Sequence, residues 1–269
     1  MSLSVHQTTS SYESPSIVQQ KCGGSHTQQR GECSTSSTHK LAHEVEFAGI
    51  SLSPMKTDDT NGRKSVYVNM NGGKFQVQTP WLTSIRGVSL PPPAYADPAN
   101  PKYSVRFSLD GHNREDSDVK DFTEMLQRFE RFLIKEGAKN GMEWFKRKAL
   151  SEEVIEQAMF SKMVKPCIDR DTGEISNKYP PSFDVKVNYY DGEWGCQFYN
   201  SKQEEITEDI PSVVSGRMRV RAIIECCPLW FMAGNKYGCK WKVTQLEYEP
   251  LDGGSSTYNL NEFASDTTI

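Results

Sequence analysis

The chain lacks the long apolar runs and the sequence fingerprints that define several large protein classes. No stretch of its 269 residues approaches the roughly 18 consecutive apolar residues of a membrane helix, and residues 1–20 have no apolar signal-peptide centre. It contains no P-loop, no HExxH motif and no dinucleotide-binding fingerprint. We therefore expect an intracellular protein that spans no membrane and uses no cofactor.

Histidine is scarce in the part of the chain that is expected to fold. Four of the five histidines fall within the first 43 residues, which leaves His112 as the candidate general base. Two-metal nucleases use carboxylates instead, but the acidic clusters lie in loop and helix-start contexts that favour solvation and capping. These clusters are Glu115, Asp116 and Asp118, and Glu204, Glu205, Glu208 and Asp209. We expect no enzymatic activity, and a metal-dependent nuclease is the less favoured alternative.

The cysteines indicate neither a disulfide scaffold nor a zinc site. There are seven of them at irregular spacing, and the adjacent pair Cys226 and Cys227 lies in an apolar, strand-like run, which is typical of reduced thiols in a core. The remaining group of metal-ligating residues matches no usual zinc spacing. It consists of Cys22, His26, Cys33 and His39. No metal is expected.

Composition divides the chain into three parts. Residues 1–43 are rich in Ser, Thr and Gln and contain few large apolar residues, so they predict a disordered tail. With 36% apolar and 10% aromatic residues overall, the chain can bury a core, which we place in residues 44–250 as one nucleic-acid-binding domain. Residues 251–269 lack Lys and Arg and predict a flexible, weakly acidic tail.

Apolar periodicity predicts strands on both sides of a helical segment. A hairpin is expected to turn at 71–73, a third strand covers 103–109, and a period near 3.6 predicts a helix from Ser117 to about Gly137. Alternation returns in the later segments, which are 183–189, 194–199, 217–225 and 237–248. This order predicts a mainly β (α+β) fold, an OB-fold-like five-stranded barrel enlarged by a helical insertion between strands 3 and 4.

Cations and aromatic residues concentrate in the last two predicted strands. Because side chains alternate along a strand, Arg217, Arg219 and Arg221 should share one face, whereas Trp241 belongs to the inward set. The net charge of −4 requires any nucleic-acid site to be a local patch of this kind. Phosphates need cations and unpaired bases need flat rings. The predicted nucleic-acid-binding residues are Trp81, Tyr103, Arg106, Arg217, Arg219, Arg221, Trp230, Phe231, Lys236, Tyr237, Lys240 and Lys242.

Four segments resemble a known family. At 179–187, Ile210, 216–220 and 229–245 the chain resembles the single-stranded DNA-binding proteins of nucleocytoplasmic large DNA viruses, a group similar to the single-stranded DNA-binding proteins of short-tailed coliphages. The resemblance follows the order of elements from residue 45 to residue 250. It implies an OB-fold core that coats unwound DNA without reading its sequence, protects it, and delivers it to the replication and recombination machinery.

The resemblance also implies partners and a location. Single-stranded DNA is the expected ligand, replication proteins would contact the C-terminal tail, and homo-oligomers are allowed. The protein would act at the viral replication site, in the host cytoplasm or nucleus. The coliphage relatives end in a strongly acidic tail with a terminal aromatic residue, whereas residues 249–269 here are only weakly acidic and end in Ile269, a difference that argues against a phage-like autoinhibitory role. A structural or interaction protein of the virion is the alternative function.

Overall fold

Twenty strands and four α-helices make up the described part of the chain, which is residues 39–95, 97, 101–169, 171–207 and 209–251 of a computed structural model. The strands are β1 (Lys40–Leu41), β2 (Ile50–Leu52), β3 (Lys56–Thr57), β4 (Lys64–Val66), β5 (Val68–Met70), β6 (Gly73–Lys74), β7 (Gln76–Gln78), β8 (Leu82–Ser89), β9 (Tyr103–Ser108), β10 (Phe160–Ser161), β11 (Val164–Lys165), β12 (Ser182–Val187), β13 (Tyr189–Tyr190), β14 (Glu193–Trp194), β15 (Gln197–Tyr199), β16 (Glu205–Ile206), β17 (Met218–Cys226), β18 (Leu229–Met232), β19 (Lys236–Gly238) and β20 (Trp241–Pro250). The helices are α1 (Asp118–Lys139), α2 (Gly141–Phe145), α3 (Glu152–Val154), which continues into a π-helical turn (Ile155–Met159), and α4 (Ile210–Val213).

Five of these strands close into a barrel. β8 pairs with β9, β9 with β12, β12 with β20, β20 with β17, and β17 again with β8. In chain order the ring runs first, second, third, fifth, fourth, and its third and fifth strands are parallel. This is the five-stranded Greek-key barrel of an OB fold. The predicted fold class, a mainly β protein with an OB-like barrel, is therefore confirmed.

Alternation along the barrel strands separates a packed interior from a usable exterior. β12 buries Phe183, Val185 and Val187 and turns Asp184 and Lys186 outward. β17 and β20 follow the same rule, burying the apolar side chains Met218, Val220, Ala222, Trp241 and Val243. Burying each large apolar side chain stabilises the fold by about 1.5–3 kcal/mol. The outward positions of the same strands carry polar and charged side chains such as Lys186 and Lys242.

The helical insertion lies between the two segments predicted to flank it, 103–109 and 183–189, but the numbers of these strands in the barrel differ from the predicted ones. α1 begins after Ser117, whose side chain accepts a hydrogen bond from the Val119 amide, and it joins the second and third barrel strands, not the third and fourth. The first barrel strand, β8, was not predicted because a register shift between Ser84 and Val88 breaks its alternation. The predicted hairpin at 71–73 does form, but its strands β5 and β6 belong to a separate sheet outside the barrel.

A second sheet grows from the connection between the fourth and fifth barrel strands. The chain leaves β17, forms the antiparallel pair β18–β19 and returns in β20. This pair is extended by β10 on one side and by β4 and β3 on the other. We call the resulting five-stranded unit, β10-β19-β18-β4-β3, the hairpin sheet. One of its faces packs against helix α2 through an aromatic cluster of Trp144, Phe145, Phe160, Phe231 and Tyr237.

The two predicted tails lie largely outside the described residues. Inside the predicted N-terminal tail, Lys40–Leu41 already pairs with β7, so pairing starts before the predicted boundary at residue 44. Across the described ranges, no helix is both long and apolar enough to cross a membrane.

Candidate functional site

The three predicted arginines of β17 have different surroundings. Arg219 and Arg221 lie directly opposite Glu249 and Glu247 of β20 in the antiparallel register. Arg219 Nη1 is 3.2 Å from Glu249 Oε2, and Arg221 Nη2 is 2.5 Å from Glu247 Oε2. Arg217 is exposed and makes no ion pair within the described residues. The prediction that all three face an open groove is therefore wrong for two of them, because the neighbouring strand supplies a carboxylate to each.

Trp81 completes this arrangement. Its partly exposed ring lies 5.1 Å from the guanidinium carbon of Arg219 and 4.9 Å from that of Arg221. Both distances fall within the range of a cation–π contact. We call the set Trp81, Arg219, Arg221, Glu247 and Glu249 the arginine ladder. Its positive charge is satisfied within the protein.

A second set of cations crosses the barrel at the second, third and fifth strands. Lys186 points outward from β12, beside Lys242 of β20 on one side and Ser104 of β9 on the other. Burial lowers the pKa of Lys240, and the neighbouring charges of Lys186, Lys165 and Lys102 lower it further. These three ammonium groups therefore lie within electrostatic range of Lys240. We call Lys102, Lys165, Lys186, Lys240 and Lys242 the lysine belt.

Two carboxylates neutralise only the edges of the lysine belt. Asp184 Oδ2 lies 2.7 Å from Lys165 Nζ, and its Oδ1 lies 2.6 Å from Arg106 Nε. Glu225 is 3.0 Å from Lys242 and 3.2 Å from Lys74. Each carboxylate thus faces two cations and leaves an excess of positive charge. Across the described chain, no ion-pair partner is found for three of the belt lysines, which are Lys102, Lys186 and Lys240.

The cations hold both carboxylates in their charged form. Burial alone would raise the pKa of Asp184, but hydrogen bonds from Arg106 and Lys165 outweigh it and leave the pKa lowered. Glu225 behaves alike, because hydrogen bonds from Lys242 and Gln76 outweigh burial and lower its pKa. The hydrogen bond to Asp184 in turn raises the pKa of Arg106. Arg106, a predicted phosphate contact, is therefore partly engaged inside the protein.

The predicted stacking residues are distributed over different environments. Tyr237 is fully buried and its hydroxyl donates to the Leu133 carbonyl at 3.0 Å, so the prediction that it stacks on a base is wrong. Phe231 is half-buried and stacks on Tyr237 with ring centroids 5.9 Å apart. Tyr103 packs against Tyr189 and Trp194. Trp230, by contrast, does not join the core cluster.

The buried state of these residues follows from parity along the strand. Tyr237, Cys239 and Trp241 occupy alternate positions whose side chains point inward. The position of Tyr237 along the strand, and not its aromatic identity, therefore decides that it is buried. Lys236 takes the outward register and is exposed, as predicted. Trp241 is fully buried, which confirms the prediction that it belongs to the core.

The residues considered for other chemistry do not converge. Asp118 opens helix α1, Glu204 accepts a hydrogen bond from Asn200 within a turn, and Glu208 lies outside the described residues. Among the residues that the structure describes, no three His, Cys, Asp or Glu side chains are grouped to hold a metal ion. Cys226 and Cys239 are buried free thiols with their sulfur atoms 3.2 Å apart. Cys22, His26 and Cys33 fall outside the described ranges.

Sequence reasoning missed three members of the lysine belt. The outward position of Lys186 could have been predicted from the sequence, since the apolar residues at 183, 185 and 187 point inward. The positions of Lys102 and Lys165 could not, because only the pairing of β9, β11 and β12 brings them to the same surface. Lys165 reaches the belt through β11, a two-residue strand that pairs with β12.

Fold and site together define an OB-fold protein with a local cationic surface on the face of its second and third strands. Among solved structures, the single-stranded DNA-binding protein gp2.5 encoded by bacteriophage T7 is similar at 13% identity and a TM-score of 0.41, covering 73% of this chain and 98% of that chain. The single-stranded DNA-binding protein from bacteriophage Enc34 in complex with ssDNA has 14% identity and a TM-score of 0.40, covering 76% and 97%. The Enc34 protein on its own has 16% identity and a TM-score of 0.37, covering 80% and 98%. No family model and no curated protein matches the chain.

Proposed function

We propose that this protein binds single-stranded DNA without reading its sequence, and that the lysine belt holds the phosphates. The observation that carries the proposal is the grouping of three lysines that have no ion-pair partner among the described residues, namely Lys186 on β12, Lys102 just before β9 and Lys240 just before β20. In an OB fold the strand 2–3 face, together with the loops after the first and fourth strands, is where oligonucleotides bind. Lys240 belongs to the connection after the fourth strand, so the belt covers both parts of that surface.

The chemistry of the lysine belt favours a phosphate backbone as its ligand. Burial is the main cause of the lowered pKa of Lys240, and repulsion from the nearby charge of Lys186 lowers it further. A row of phosphates between the ammonium groups would relieve that repulsion and release condensed counterions. Phosphate contacts position a strand but carry no sequence information, so binding should be indifferent to base order. Since the chain carries a net charge of −4, the attraction is confined to this patch.

We extend the proposal to the biological setting. A non-catalytic protein that coats unwound DNA would serve replication, recombination or repair of a large DNA virus, at the viral replication site inside the host cell. The resemblance at 179–248 supports this setting. Contacts with replication proteins through residues 251–269, and self-association on the DNA, belong to the same proposal.

The testing experiment is a fluorescence-polarisation titration of labelled oligo-dT of about 16 nucleotides, the upper end of an OB-fold site. We expect the logarithm of the affinity to fall with the logarithm of the salt concentration with a slope of about −3.5, if each of five lysines neutralises one phosphate. Duplex of the same length, oligo-U and a poly-glutamate peptide are the comparison ligands. Equal competition by poly-glutamate would instead favour an acidic protein partner, as in a virion interaction protein, and release of cut DNA with magnesium would favour a nuclease.

A further inference from the structure

Trp230 lies on the face of the hairpin sheet that points away from the buried aromatic cluster. In the strand register Trp230 is paired with Gly238 on one side and Ser65 on the other. Ser161 continues this row beyond Gly238, and Lys56 continues it beyond Ser65. Residues paired across neighbouring strands point to the same side of a sheet. The outer face therefore presents one large ring between small and basic side chains.

The backbone beneath the indole is shaped to receive it. A Cβ atom at Gly238 would lie 2.8 Å from Cζ2 and 3.1 Å from Cε2 of Trp230, so the ring rests where only glycine leaves room. Gly238 is itself buried although its neighbours in the row are not, because the indole covers it. The ring thus packs against Gly238, and Trp230 remains partly exposed.

The indole nitrogen gives a second indication that Trp230 is more than a packing residue. Nε1 of Trp230 is buried and has no hydrogen-bond partner among the described residues. An unsatisfied buried donor costs stability, and a phenylalanine would fill a structural position without that cost. Compared with phenylalanine, the advantage of the indole at this position is its larger flat surface. Since its nitrogen-bearing edge is enclosed, the ring is also held in one orientation.

The chain runs directly from the hairpin sheet into the lysine belt, because only Cys239 and Lys240 separate β19 from β20. From 236 to 242 the odd-numbered side chains are buried, whereas Lys236, Lys240 and Lys242 take the outward register. Gly238, the remaining outward position, is the one that Trp230 covers. Gly238 ends β19 and Lys240 follows it by two residues, so their Cα atoms are at most about 7 Å apart. A ring therefore occupies the gap in a row of ammonium groups.

A second ring and cation share this face. Tyr67 follows Ser65 by two residues, is 46% exposed, and has the Lys56 ammonium 5.3 Å from its ring centroid. Alternating rings and cations are the combination that binds unpaired bases and their phosphates in single-strand-binding grooves. Neither Lys56 nor Tyr67 was singled out from the sequence, because β3 and β4 are separated from β18 by more than 160 residues of chain.

We infer that Trp230, seated on Gly238, stacks on an unpaired base of a single strand whose phosphates lie on the lysine belt, and that Tyr67 with Lys56 forms the next contact on the hairpin sheet. This inference rests on the proposed function and assigns it a base-binding site. Stacking uses the ring face that every base possesses, so the site adds affinity without sequence preference.

The test compares oligo-dT with an abasic strand of equal length, which keeps the phosphates and lacks the bases. Wild-type protein should bind oligo-dT more tightly than the abasic strand. In Trp230→Ala we expect affinity for oligo-dT to fall about 5- to 150-fold and affinity for the abasic strand to stay unchanged. Trp81→Ala is the matched control, since that ring is covered by two arginines. It should leave the ratio of the two affinities as in wild type.

Gly238→Ala provides a second variant that keeps the indole but displaces it. Gly238→Ala should lower the affinity for oligo-dT, as Trp230→Ala does. Trp230→Phe should bind oligo-dT more tightly than Trp230→Ala but less tightly than wild type. An unchanged ratio of oligo-dT to abasic affinity in both Trp230→Ala and Gly238→Ala, with folding verified by circular dichroism, would overturn the inference. Wild-type protein that binds neither strand would overturn the proposed function instead, so the two failures are distinct.

Discussion

The lysine belt and the arginine ladder are two rows of cations on one barrel, and they differ in what lies opposite each charge. Arg219 and Arg221 face Glu249 and Glu247 across an antiparallel pair of strands. Lys186 faces Ser104 on one side and another lysine, Lys242, on the other. Positive charge is therefore cancelled in the ladder and accumulated in the belt, although the ladder looks more basic in the sequence.

The comparison teaches that alternation along a strand fixes a face but not the electrostatics of that face. The neighbouring strand supplies half of the side chains on any sheet surface, and its register decides which charges meet. Ion pairs at partly exposed positions contribute only about 0.2–1 kcal/mol each, so the ladder adds little to stability. Its main effect is electrostatic, because each arginine and the carboxylate opposite it cancel one another's charge.

The largest expected effect separates the two rows directly. Replacing Lys102, Lys186 and Lys240 by alanine should lower affinity for oligo-dT about a hundredfold at low salt, and make the slope of log affinity against log salt shallower by about 2. Replacing Arg217, Arg219 and Arg221 by alanine should lower the affinity no more than about threefold, because two of these arginines already have partners. Polarisation titrations over a series of salt concentrations measure both quantities.

A control for this pair of variants removes equal charge elsewhere. Lys120, Lys135 and Lys202 lie on helix α1 and in a loop, and their replacement by alanine should leave the salt slope close to that of wild type. If the arginine variant loses as much affinity as the lysine variant, the ladder must open on binding, and the distinction between the two rows fails.

The barrel could be predicted because its strands alternate, and the exceptions have local physical causes. β12, β17 and β20 each bury every second side chain over most of their length, which is the pattern that sequence reasoning detects. β8 escaped because the irregularity between Ser84 and Val88 interrupts its period. The predicted order also counted the strands around the hairpin at 71–73 as barrel strands, so the strands that flank the insertion were numbered third and fourth although they are the second and third.

The site could be predicted only in part, because most of it depends on contacts between distant segments. The outward parity of Lys240 and Lys242 was visible in the sequence, and the inward parity of Trp241 was visible beside it. The carboxylates that neutralise Arg219 and Arg221 are 30 and 26 residues away along the chain, and nothing in a single strand reveals their register. Tyr237 was misassigned although it shares the inward parity of Trp241, and only its hydrogen bond to the Leu133 carbonyl of helix α1 could not be seen in the sequence.

A smaller effect of opposite sign tests whether the ladder is neutral. Replacing Glu247 and Glu249 by glutamine removes two negative charges and frees Arg219 and Arg221 for phosphate. Affinity for oligo-dT should then rise about threefold at low salt and the salt slope should steepen. The control is Glu152→Gln with Glu153→Gln at the start of helix α3, where the same change in charge should raise the affinity less. A fall in affinity in the Glu247 and Glu249 variant would mean that the ladder carboxylates position the arginines for binding.

The smallest effect concerns Asp184, the carboxylate at the edge of the lysine belt. Its pKa is lowered in the folded protein, so Asp184 contributes stability above its unfolded pKa and loses that contribution as pH falls through the folded value. Asp184→Asn should therefore cost about 1 kcal/mol at neutral pH, for two partly exposed ion pairs, and nothing once wild-type Asp184 is protonated. Urea unfolding of both proteins from about pH 7 to about pH 2 measures the difference.

Binding should respond to the same substitution in the opposite direction. Asp184→Asn releases Arg106 and Lys165, so affinity for oligo-dT should rise slightly while stability falls. Asp110→Asn breaks a more exposed pair with Arg114 and serves as the control, with both quantities close to wild type. If Asp184→Asn instead weakened binding, Asp184 would be needed to hold Arg106 and Lys165 in place on the belt. The excess of free positive charge would then not be what attracts the strand.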